Sequence, residues 1–339
     1  MYKSTYTCTI IAHQYRVIFI SNKQQYSQAS LFPIRLLAKK TGVGTSTLRA
    51  WERRYGLLQP QRTPKGHRVY SEEDVNRVLK ILDLVDDGHS LSGIAEMLAT
   101  GNLPPSAMSS PLNVASSMER EPSPVWGQFI QATINATNDF NIERIDAIFN
   151  EASSLYPLNM VIEQLIQPTL IYLGEAWKKQ PEIGIAEEHF YTSWLKNRIG
   201  ARFHHVYSLA KGARVICACA PGCFHEIGLM LFSLTALSRG YRVLYFGADL
   251  PINQFQHVLK RSAARAIILS VQNEIPENSV NDINHLISTI SRPVFIGGLN
   301  QSLDESIFEK SGGILLGSNT SIALQVLEKH VPAYTSTED

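Results

Sequence analysis

The sequence predicts a multidomain α and α/β protein: a winged helix-turn-helix head, then a four-helix bundle, then a doubly wound parallel-sheet (Rossmann-like) domain. Three observations carry this. Two short apolar-periodic helices flank the turn Thr41-Gly42-Val43-Gly44, and a basic stretch punctuated by Pro60, Pro64 and Gly66 follows them. Long amphipathic runs with few turn signals fill residues 126–211. From Ala213, β-branched runs alternate with helical segments, the pattern of a parallel sheet covered on both faces.

The head begins with a helix carrying Ile34, Leu37 and Ala38 on one face. A second helix opens with Thr45, Ser46 and Thr47, hydroxyls suited to capping free amides. It places Leu48 and Trp51 on one face and Arg49, Arg53 and Arg54 on the others. Two helices joined by a Gly-containing turn allow the second to enter the major groove of DNA. Gln59 to Tyr70 then predicts a basic hairpin, a wing reaching for phosphates. Ser71 to Asp74 is a capping-box start for the next helix, whose apolar face is expected to hold Val75, Val78, Leu79 and Leu82.

Charge supports a nucleic-acid partner. Between Arg35 and Asp74 there are nine cations (Arg35, Lys39, Lys40, Arg49, Arg53, Arg54, Arg62, Lys65, Arg68) against four acids (Glu52, Glu72, Glu73, Asp74). The whole chain carries a formal net charge of only +1, so the positive field is local, as a DNA footprint requires. The residues expected to touch DNA are Arg49, Arg53 and Tyr55 at the second helix, with Arg62, Lys65, His67, Arg68 and Tyr70 in the wing.

At 339 residues the chain has room for two or three domains, each with its own core. No window long enough to span a bilayer is free of charged and strongly polar residues, so a membrane partner is not expected. The four cysteines, three of them at Cys217, Cys219 and Cys223, do not form a secreted disulfide framework, and a reducing cytoplasm fits. Cys217 and Cys219 fall on one side of a strand expected to be buried. Packing is therefore favoured over a thiolate metal site, with Cys223 the one expected to meet a ligand. The expected boundaries are an N-terminal tail at 1–30, the head at 31–101, a Ser/Pro-rich linker at 102–125, the bundle at 126–211, the α/β domain at 212–331 and a C-terminal tail at 332–339.

In the α/β domain the first strand leads into Pro221-Gly222-Cys223-Phe224-His225-Glu226-Ile227-Gly228. Ser270 closes the third strand and Gly297-Gly298 follows the fourth. Ligands of such sheets bind outside the carboxyl ends of the strands, where these residues fall.

The run RAWERRYGLLQPQRTPKGHRVYSEEDV resembles the DNA-binding domain of the MerR family of transcriptional regulators over roughly residues 32–100. His225, Gly228, Ser270, Gly297 and Gly298 resemble the cobalamin-binding domain of methionine synthase and the adenosylcobalamin mutases. That likeness implies that His225 is the lower axial cobalt ligand, while Ser270 and the Gly pair admit the nucleotide tail. The motif departs at Cys223, where the family has an acid that would orient the imidazole. Trp177 and the Glu188-His189 pair resemble the Trp…Glu-His element of CarH/LitR-type light-sensing repressors, with one residue more between them than is usual. The resemblance implies that Trp177 packs over an adenosyl group, that Glu188 lies close to it, and that His189 takes the upper cobalt position after light. It further implies a repressor, not an enzyme, held on double-stranded operator DNA as a homo-oligomer (dimer or tetramer) by adenosylcobalamin. The alternative is a cobalamin-independent MerR-type regulator whose pocket is vestigial or serves another small molecule. Cys223 and the extra residue after Trp177 speak for that alternative.

Overall fold

A computed structural model of the chain describes residues 31–102, 123–179, 181–271, 277–298, 306–317 and 319–334, with the side chains of 177–179, 181–183 and 277 outside that description. The tail at 1–30, the linker over 103–122, residues 335–339 and the Trp177 side chain therefore lie outside the described residues. The chain divides into two compact units, one built on the head and the other on the bundle and the α/β domain together.

In the head, α1 (Ile34–Thr41) stops at Gly42, whose φ of 73° sends its N–H back to the Ala38 carbonyl. A glycine is needed for that left-handed step. Helix α2 (Thr45–Ala50) runs on through a π turn, Trp51–Tyr55, closed by Gly56 at φ 64°. Its N-cap is Gly44, with no side-chain cap. The expectation that Thr45–Thr47 cap the helix is corrected: they lie inside its first turn, and Thr47 is buried. Leu37, Val43, Leu48, Trp51 and Leu57 form a fully buried core.

The wing is an antiparallel pair, β1 (Gln61–Arg62) and β2 (Arg68–Val69), turned through Gly66 at φ 81°. A bridge between Phe32 and Tyr70 ties its return strand to the start of the head. Helix α3 (Glu72–Asp86) starts with the predicted capping box, in which Asp74 N–H donates to the Ser71 hydroxyl and Ser71 N–H to the Asp74 carboxylate. Its buried face is Val75, Val78, Ile81, Leu84 and Val85, whereas Leu79 is 42 % exposed. Val75 and Val78 are buried as expected, and beyond them the buried face continues through Ile81 in place of Leu79. Helix α4 (Leu91–Thr100) follows, capped by the Ser90 hydroxyl.

The bundle comprises α5 (Pro124–Asn138), α6 (Ile142–Leu155), a third helix made of α7 (Leu158–Val161), a π turn (Ile162–Ile166) and α8 (Gln167–Lys179), and α9 (Pro181–Tyr207). Pro181 opens α9 at its first position, where its missing N–H costs nothing. Trp194 packs edge-on to Phe149 and donates to Asp146 at 3.1 Å, anchoring α9 to α6. Phe140 leaves the helix with a positive φ of 50° and is half exposed against Phe190.

The α/β domain contains β3 (Arg214–Cys219), α10 (Ile227–Ser238), β4 (Arg242–Gly247), α11 (Asn253–Ser262), β5 (Ala266–Ser270), α12 (Glu277–Thr289), β6 (Val294–Gly297), α13 (Ser306–Glu309), β7 (Ile314–Gly317) and α14 (Thr320–His330). The five strands are parallel in the order β4-β3-β5-β6-β7. The order reverses beside β3, which creates a crevice at its carboxyl end.

Bundle and α/β domain are joined by partly buried polar contacts. Glu163, on the π turn, accepts the Ser321 N–H at 3.0 Å, and Gln167 donates to the Thr320 hydroxyl at 3.3 Å. Both contacts grip the first turn of α14. Burial raises the Glu163 carboxyl above its ordinary range, only partly offset by the Ser321 hydrogen bonds. A folded value above the unfolded one gives stability that is fully present at acid pH and lost as pH rises through the raised value. Stability should therefore decline from about pH 4 upward through this group, and Glu163→Gln should flatten that slope in urea titrations run at several pH values. An unchanged slope would show that the carboxyl is not held away from solvent.

Candidate functional site

Four register positions set one site across the carboxyl edge of the sheet. Cys219 pairs with Ser270, Ser270 with Gly297, and Gly297 with Gly317, so the ends of β3, β5, β6 and β7 lie in a row. Above that row opens a cavity of about 130 Å³ lined by His225, Gly228, Ser270, Gly297, Gly298 and Gly317, with Leu229, Phe232, Leu316 and Ala323 as apolar wall. Gln167 of the bundle and Asn319-Thr320 of α14 complete it. A water occupies about 30 Å³ in the liquid, so the slot suits one flat ring, and a macrocycle has to lie outside it.

Glycine keeps the slot open. A Cβ on Gly228 or Gly317 would meet no heavy atom within 4 Å among the described residues, so it would project into open space. Gly298 has φ +84°, and a Cβ there would sit 3.0 Å from the Ser270 hydroxyl and 3.2 Å from the Val271 carbonyl. Such a walled cleft with an imidazole at its edge fits a cofactor that inserts a planar tail and takes a nitrogen ligand.

The loop after β3 is shaped by a turn. Cys223 N–H donates to the Ala220 carbonyl at 3.0 Å across Pro221-Gly222, and Gly222 has φ 77°. The Asp249 carboxylate accepts the Gly222 N–H at 2.8 Å and pins the turn to the end of β4. His225 is exposed, and among the described residues its imidazole has no hydrogen-bond partner. Both ring nitrogens are thus free. Glu188 and His189 lie in α9, half-buried and exposed respectively, and their side chains are similarly unengaged among the described residues. Trp177 belongs to the last turn of α8.

Cys223 departs from the expectation that it meets ligand. It is buried at 2 % exposure, lies outside the cavity lining, and hydrogen-bonds Cys219 in the core. The turn at Pro221-Gly222 folds it inward. The hydrogen bond with Cys223, then burial, push the Cys219 thiol far up, and burial pushes Cys217 up to about 12. Protonated, buried thiols are poor ligands and poor nucleophiles.

On the head, Arg49, Arg53, Arg62, Lys65, His67 and Arg68 are exposed and Tyr55 half-buried. Arg68 is not a free cation, because its Nε donates to both Glu52 carboxylate oxygens at 2.9 Å and braces the wing against the π turn. That partner, first by its hydrogen bond and then by its charge, raises the Arg68 pKa. Tyr70 is corrected: at 1 % exposure and bridged to Phe32, it is a core residue that DNA does not reach. Glu52 was missed because an acid within a basic helix reads as solvated surface. Gln167 and Asn319-Thr320 were missed because long-range packing alone brings them to the slot.

The chain is similar to known proteins over most of its length. Residues 32–100 match the MerR HTH family regulatory protein model, and residues 130–202 match the B12 binding domain model. The chain is 26% identical to the HTH-type transcriptional repressor CarH of Myxococcus xanthus, over 82% of this chain and 92% of that protein. This chain is a homologue of the CarH repressor. CarA of the same organism is also 26% identical, over 78% of this chain and 86% of its own length. The HTH-type transcriptional regulator MlrA of Escherichia coli K12 is 39% identical over 22% of this chain and 30% of its own. Among solved structures, the monomethylamine corrinoid protein of Methanosarcina barkeri aligns with TM-score 0.49 and 15% identity, over 60% of this chain and 98% of that one. The two full-length relatives are transcriptional repressors, and this chain joins a MerR-type head to a B12-binding domain. Among the described residues, no helix is long and apolar enough to cross a membrane.

Two substitutions separate space from strain. Gly228→Val should leave the melting temperature of the unliganded protein nearly unchanged and abolish cobalamin retention on desalting. Gly298→Ala should lower the melting temperature as well, since a positive φ and two close oxygens oppose the methyl group. Full retention by Gly228→Val would show that the slot is not the binding site.

Proposed function

We propose that this protein is a cytoplasmic transcriptional repressor whose grip on operator DNA is set by adenosylcobalamin and light. The observation that carries the reading is His225, without a hydrogen-bond partner among the described residues, at the edge of a glycine-walled slot in a chain that also bears a basic head. Adenosylcobalamin, when bound, supplies a cobalt–carbon bond that light cleaves.

The residues divide the work. His225 would hold the cobalt through an imidazole nitrogen, and Ser270, Gly297 and Gly298 would hold the nucleotide tail. Trp177 and Glu188 would cover the adenosyl group, and His189 would hold the cobalt once light has removed that group. Arg49, Arg53 and Tyr55 meet DNA from the second helix, and Arg62, Lys65 and His67 meet it from the wing, with Arg68 limited by Glu52. Linking several heads in a dimer or tetramer multiplies operator affinity without new DNA contacts, so loss of the oligomer suffices for release.

The inward-facing Cys223 favours a second reading, a cobalamin-independent regulator, because no carboxylate two residues before His225 orients its ring. Operator binding decides between them. With an operator selected from random duplexes, gel-shift affinity should be high in the dark with adenosylcobalamin and fall at least tenfold after green light. His189→Ala should bind normally in darkness and respond abnormally to light, and Arg53→Ala should lower the salt slope by about one. Binding that ignores both cofactor and light would favour the cobalamin-independent reading.

A further inference from the structure

The residue after His225 has a place of its own. Glu226 N–H donates to the Phe224 carbonyl at 3.0 Å, closing a three-residue turn with His225 at its centre. Its carboxylate faces two partners on different elements. Tyr245 of β4 donates its hydroxyl to Oε2 at 2.9 Å, and Lys196 Nζ of α9 lies 3.1 Å from Oε1. Gly247, at φ +77°, makes room for the carboxylate, since a Cβ there would stand 3.2 Å from Oε2. The Glu226 side chain is only 21 % exposed.

His225 thus hangs between two anchors. One is the turn at Ala220–Cys223, pinned by Asp249, and the other is Glu226, pinned by Lys196 and Tyr245. The imidazole has no hydrogen bond of its own among the described residues, so these anchors set where it stands. Lys196 lies on the same helix as Glu188-His189, seven residues beyond His189. Seven residues are close to two turns of helix, so both side chains leave it in similar directions about 10 Å apart.

We propose that Glu226 is a positioning residue that couples the two sides of the cobalamin site. It ties the loop of the lower ligand His225 to the helix bearing Glu188-His189. A shift of α9 against the sheet pulls on the Glu226 carboxylate and, through one peptide bond, on His225. Cys223 supplies no orienting carboxylate, and Glu226 takes over that duty through the backbone instead of through the imidazole. The inference rests on the cobalamin reading above.

The test uses the full chain incubated in darkness with adenosylcobalamin, or with hydroxocobalamin. The readouts are the fraction of bound cobalamin with an imidazole-ligated spectrum and the rate of cobalamin loss after desalting. Glu226→Gln and Lys196→Met should lower that fraction and speed the loss by roughly tenfold, the usual effect of removing a residue that orients a metal ligand. Lys196→Arg should restore both, while melting of the unliganded Lys196 variants stays at the wild-type value. Wild-type spectra and rates in both Glu226→Gln and Lys196→Met would overturn the proposal. Should Glu226→Gln fail to fold, Lys196→Met decides alone, and wild-type behaviour there removes the link to α9. A wild-type protein that retains no cobalamin would instead defeat the cobalamin reading, and this inference with it.

Discussion

A parallel sheet in the order β4-β3-β5-β6-β7 sends its connections to opposite sides on leaving β3, and the loops there part over a crevice. The candidate site depends on that topological constraint. The loop after β3 carries His225, the end of β5 carries Ser270, and the ends of β6 and β7 carry Gly297 and Gly317. Register places these ends in one row, and the slot opens above them. Glycine is the second half of the constraint, because a Cβ on Gly298, at a positive φ, would crowd the Ser270 hydroxyl and the Val271 carbonyl.

Several of the polar contacts that join the bundle to this sheet lie beside the candidate slot. Glu163 and Gln167 grip the first turn of α14, whose Thr320 lines the slot, while Lys196 reaches the residue beside His225. The contacts that dock the bundle therefore share residues with the lining of the slot. Exposed ion pairs contribute little, and Lys196–Glu226 is half exposed at the lysine. Its weight comes from where it pulls. The head is built differently: a small apolar core around Leu48 and Trp51 presents a basic surface, and the Glu52–Arg68 pair fixes the angle of the wing at the expense of one free cation.

Much of this was legible in the sequence, for identifiable physical reasons. Strand ends were readable because β-branched runs stop at Ser270 and Gly297, and the carboxyl-end rule then gathers those residues. The Ser71–Asp74 capping box was readable because its chemistry is local. Tyr70 was misread because the ring serves a core or a DNA surface equally well, and only the bridge to Phe32, far upstream, decides between them. Cys223 was misread because a tight turn reverses the direction in which the chain presents its side chains. The two π turns left no signal, since an extra residue in one turn shifts the helical phase without changing composition. Glu163, Gln167 and Glu226 owe their places to partners distant in sequence, which no local pattern encodes.

The measurement that bears most directly on the account is the visible absorption spectrum after dark incubation with adenosylcobalamin and desalting, taken in parallel for wild type and His225→Ala. The account predicts retained cobalamin with an imidazole-ligated spectrum in the wild type and loss of that spectrum in the variant. Cobalamin absent from the desalted wild type, or the same spectrum in both proteins, would contradict it.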